Sequence, residues 1–145
     1  MLLQKGGSAW REQRFDDARV LFEHALLLAR EVDSPQGTLS ARHMLANIAF
    51  NQCEDEKSRA MHEELLAECR ASGFNGGIAS SLANLALIDV AEGKFDDAQD
   101  KYEQAISLYE ADGYTEVASS VRQTLEELVV QRKPLTVPRK ARKSC

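Results

Sequence analysis

Apolar residues recur at helical spacing along almost the whole chain, and the pattern itself repeats. Between Arg14 and Arg30, residues Ala18, Leu21, Phe22, Ala25, Leu26 and Ala29 fall three or four apart, which places them on one face of an amphipathic helix. The same columns return without a gap 40 residues later, in EDEKSRAMHEELLAECR from Glu54, and again in KFDDAQDKYEQAISLYE from Lys94. Reading down them, Phe15 meets Asp55 and Phe95, Ala18 meets Ser58 and Ala98, and Phe22 meets His62 and Tyr102. The intervening halves keep the register, with Leu45, Leu85 and Leu125 in one column and Ile48, Ile88 and Leu128 in another. The middle copy is the least regular, because Asp55, Ser58 and His62 occupy columns that are apolar or small elsewhere.

Each period holds two helical patterns. Asp16-Asp17, Asp55-Glu56 and Asp96-Asp97 open the longer ones, where acidic side chains favour the positive end of the helix dipole. Breaks fall at Asp33-Ser34-Pro35-Gln36-Gly37, from Gly73 to Gly77, and at Asp112-Gly113. The pattern predicts helices near 2–12, 16–32, 36–51, 55–72, 76–92, 96–112 and 115–132. A helical repeat domain over 1–132 and a disordered basic tail over 133–145 follow. Composition points the same way: alanine and leucine supply 36 of the 145 residues, and valine, isoleucine and threonine only 16. The fold class is all-α.

The columns resemble a tetratricopeptide repeat in its longer form of about 40 residues, a helix-turn-helix unit. Leu82, Leu85, Ala86, Gly93, Phe95, Ala98, Tyr102 and Ala105 fall where that family places its packing residues, and Gly6 and Ala46 take the small position of Ala86. The pattern departs from the family at Gln13 and Cys53, which replace glycine, and at Arg42 and Arg122, which replace bulky apolar residues. The resemblance implies an α-α superhelix of about seven antiparallel helices with a concave face. The segment AREVDSPQGTLSARHMLANIA also resembles repeat arrays of large bacterial NTP-dependent transcription regulators. The final helix offers a polar outer side through Arg122, Gln123, Glu126, Glu127 and Gln131, as a terminal cap requires. The N-terminal helix has no such cap, so either a partner covers it, a second copy included, or the array is longer.

Charge narrows the partners. The net charge is −5, yet residues 132–145 carry six basic side chains and no acid, which leaves a net of −11 on residues 1–131. A body this acidic repels nucleic acid and anionic membranes, so the tail is the only candidate contact with either. No stretch is apolar enough to span a membrane. Three cysteines without CxxC spacing fit a reducing compartment, and the chain reads as cytoplasmic. No nucleotide-binding, metalloprotease or nucleophile-elbow motif occurs. His24, His43 and His62 lack the i, i+4 partners of a metal set, and the paired acids recur as helix openings. The chain reads as a non-enzyme with no cofactor and no metal.

Function is then sought on the concave face that the resemblance implies, lined by the first helix of each repeat. Its candidate peptide-binding residues are Trp10, Arg11, His43, Asn47, Phe50, Asn51, Asn84 and Leu87. Asn47 and Asn84 match the two groove asparagines of peptide-binding members of the family. An asparagine amide both donates and accepts, so it can hold a ligand's backbone without reading its sequence; the plainer reading is that both are solvated helix residues. The basic positions of the family's carboxylate clamp are here His43, Ser120 and Thr124, which argues against capture of a C-terminal carboxylate. Two functions remain open: an interaction module holding a peptide or protein segment in its groove, or a sensor or oligomerisation segment of a larger bacterial signalling or transcription-regulatory protein.

Overall fold

The computed structural model describes residues 14–131. The expected first helix, with Trp10 and Arg11, and the expected tail lie outside the described residues. Between those limits the chain is all-α. Six helices follow one another: α1 (Phe15–Glu31), α2 (Pro35–Asn51), α3 (Asp55–Ser72), α4 (Asn75–Ala91), α5 (Phe95–Ala111) and α6 (Thr115–Gln131). Their ends agree with the periodicity to within one residue.

The turns explain that regularity. Asp33, Cys53, Gly73, Gly93 and Gly113 stand 20 residues apart, and each adopts a positive φ, between 52° and 81°. The amide after each donates to a carbonyl five residues back, as Ser34 N–H does to Ala29 at 2.8 Å and Lys94 N–H to Asp89 at 2.8 Å. Every helix-to-helix turn among the described residues therefore closes with the same left-handed C-terminal motif, which satisfies carbonyls the helix leaves unpaired. Pro35 and Ser34 add a start signal for α2, where the Ser34 Oγ accepts from Gly37 N–H at 3.1 Å. Connections this short favour antiparallel pairs, as α1 with α2, α4 with α5, and α5 with α6.

The described residues fall into two compact units, one ending at Met61 and the other beginning at His62. In the first, α1 packs on α2 around Ala18, Phe22 and Ile48, with Phe15, Leu21, Met44 and Leu45 against them. The opening turns of α3 join this unit, where the buried Ser58 Oγ donates to the Ala46 carbonyl at 2.8 Å. In the second, α5 packs on both α4 and α6 around Ala86, Val90, Ala98, Tyr102 and Leu128. Arg122 of α6 pairs with Glu110 of α5.

The repeat columns predict burial whatever residue fills them. Ala18, Ser58 and Ala98 are each 0 % exposed, and Phe22, His62 and Tyr102 are 2, 1 and 4 % exposed. The polar middle copy thus keeps the geometry of its apolar neighbours. Close approach at the α3–α4 turn needs a glycine: a Cβ on Gly77 would lie 2.4 Å from the Cys69 Sγ and 2.8 Å from the Phe74 ring.

Candidate functional site

On α2, His43, Asn47 and Asn51 are four residues apart and lie in one stripe along the helix. All three are half-buried. The Asn51 side chain donates to the Asn47 carbonyl at 2.9 Å, so one amide of the stripe is tied back onto its own helix. Burial, and secondarily the neighbouring Arg42 guanidinium, hold the His43 imidazole below its ordinary pKa. The ring is therefore neutral at pH 7, with both of its nitrogens buried. The stripe is polar and uncharged.

Phe50 belongs elsewhere. It is only 6 % exposed, as is Val90 in the same column one repeat later, and Val90 is part of the α4–α5–α6 core. Trp10 would occupy that column too, but it lies outside the described residues, as does Arg11.

Asn84 and Leu87 sit on α4, in the second unit, and both are half-buried. Leu87 shares the column of Asn47. Asn84 falls instead in the column of Met44, whose side chain packs against the Ala18–Phe22–Ile48 cluster. The two asparagines thus occupy different stripes of their helices.

A polar feature absent from the candidate set lies in the second unit. The Lys101 Nζ of α5 meets the Oδ2 of Asp89 on α4 at 2.5 Å, and the Asp89 side chain is 1 % exposed. The columns of Asp89 and Lys101 hold Ala49 and Met61 one repeat earlier. Two opposite charges entering two apolar columns together is a signal that column-by-column comparison carries. Burial, and the Asp89 carboxylate beside it, push the Tyr102 hydroxyl up to about 12.

Among the described residues no group of three or more histidines, cysteines or carboxylates gathers closely enough to hold a metal ion. No helix there is long and apolar enough to cross a membrane. The family model of the tetratricopeptide repeat matches the chain over residues 1–67 and again over 37–111. No curated protein and no solved structure matches it.

Proposed function

Because the chain belongs to the tetratricopeptide repeat family, whose repeats generally mediate protein–protein interaction, we propose that it binds an extended peptide segment along the α2 stripe. The stripe of His43, Asn47 and Asn51 carries this reading. Its half-buried Asn47 and Asn51 amides, one helical turn apart, each carry a donor and an acceptor suited to a bound backbone. The role is a non-catalytic one: the stripe offers hydrogen bonds and no paired nucleophile and base.

Panning a random peptide display library on the full chain, then measuring affinities of the selected peptides, tests this. Asn47→Ala is expected to weaken binding roughly five- to hundred-fold, the effect of leaving one buried amide of the complex unpaired. Glu103→Gln, on the exposed face of α5, is the control and leaves affinity unchanged. Peptides that bind Asn47→Ala as tightly as the parent chain would refute the stripe.

A further inference from the structure

On the side of α2 opposite the His43–Asn47–Asn51 stripe, the first unit holds a pocket of about 130 Å³. Leu45, Ile48 and Ala49 of α2 and Met61 of α3 form its apolar lining. A cavity of about 150 Å³ accommodates one benzene ring, so this volume has room for a single aliphatic or small aromatic side chain. Two columns of its apolar lining change character along the chain. One repeat later, Ala49 becomes Asp89 and Met61 becomes Lys101, and the two charges meet there at 2.5 Å.

The rim selects among occupants. Arg19 is engaged by Asp16 and by Gln52, each at 3.2 Å, and Lys57 by Glu54 at 3.7 Å. Glu23 is exposed and takes part in no ion pair among the described residues. The unmatched charge beside the pocket is therefore negative, on a body whose net charge over residues 1–131 is −11. We propose that this pocket is a second docking site, which takes one aliphatic side chain of a partner protein segment flanked by lysine or arginine. The apolar residue supplies affinity by leaving water, and its basic neighbours meet Glu23 and the acidic body.

The test uses the full chain and a fluorescein-labelled peptide, GRKLRKG, with two companions in which leucine becomes alanine or the basic residues become glutamate. Anisotropy is expected to show saturable binding of the first peptide, with each companion about tenfold weaker or worse. Carbon-13 labelling of the three methionine methyls locates it: the Met61 signal shifts on titration, and that of Met44 on the α1–α2 core does not. Ala49→Asp/Met61→Lys, which imports the charge pair tolerated by the same columns at Asp89 and Lys101, abolishes binding while Asn47→Ala leaves it intact. Should that double variant fail to fold, Glu23→Lys changes only the rim and is expected to weaken the basic peptide about tenfold. Absence of saturable binding below about 1 mM overturns the proposal. So do equal affinities for the leucine and alanine peptides, or a peptide lost on Asn47→Ala but not on the pocket variants. A Met61 signal that moves on Leu135→Ser/Val137→Ser, with no peptide added, would assign the pocket to the chain's own basic segment and refute a partner's.

Discussion

Removing the partner of a buried charge is the sharpest way to test the packing at the α4–α5 junction. Asp89 is 1 % exposed and Lys101 a quarter exposed, and their charged atoms lie 2.5 Å apart. Taking one partner from a buried pair costs about 3–5 kcal/mol, because the remaining charge stays desolvated. Water reaches the Lys101 end, so Lys101→Met is expected at or below the low end of that range, about 2–3 kcal/mol. At about 2.1 cal/mol/K of unfolding entropy per residue, a chain of this size loses about 3 °C per kcal/mol, so the midpoint falls by roughly 7–10 °C. Asp89→Ala/Lys101→Met copies the Ala49 and Met61 that fill these columns one repeat earlier, and it removes the buried charge altogether. Such an apolar replacement is neutral or stabilising, and the double variant is expected to melt within about 3 °C of the parent. Thermal unfolding followed by far-UV circular dichroism measures all three proteins. If Lys101→Met melts with the parent, or if adding Asp89→Ala recovers nothing, then the pair is not a desolvated one and the reasoning fails.

Three more outcomes follow from the same packing. Ala98 is 0 % exposed against Val90, Tyr102 and Leu128, so Ala98→Leu overpacks the helix interface and lowers stability by about 1–3 kcal/mol; an unchanged melting midpoint would mean the repeat register is wrong. Gly77→Ala drives a Cβ to 2.4 Å from the buried Cys69 Sγ, which costs about 1–3 kcal/mol and outweighs the helix-propensity gain of about 1 kcal/mol. Chemical denaturation should show Cys69→Ala rescuing it in part, since the Phe74 ring remains 2.8 Å from that Cβ, and a Gly77→Ala chain more stable than the parent would contradict the contact. The Tyr102 hydroxyl, pushed up to about 12 by burial and then by Asp89, stays protonated in the folded chain at a pH where an unfolded tyrosine, near 10, ionises. Its contribution is complete below pH 10 and is lost as pH rises from there through 12. The midpoint should therefore fall less steeply over that window in Tyr102→Phe than in the parent, and parallel slopes would count against it.

Helices and turns were legible without any structure, because both are encoded locally. Ala18, Phe22 and Ala25 declare a helix by their spacing, and Gly73, Gly93 and Gly113 mark places where only a left-handed residue ends one. Repetition at 40 residues then gave the columns, and column membership predicted burial even for Ser58 and His62, whose chemistry argues against it. What the sequence could not settle is which neighbour covers a given stripe. Helical periodicity groups Phe50 with Asn47 and Asn51 on one side of α2, and nothing local says that Phe50 is buried while the asparagines remain half-exposed. The same holds for Asn84, which matches Asn47 in its Leu-Ala-Asn setting but stands in the column of Met44. A pocket is less local still. Leu45, Ile48 and Ala49 wall one together with Met61 from the next helix, whereas in the equivalent columns Lys101 meets Asp89. Secondary structure follows from each residue's own backbone preferences and near neighbours, whereas exposure and cavities depend on side chains that only packing brings together.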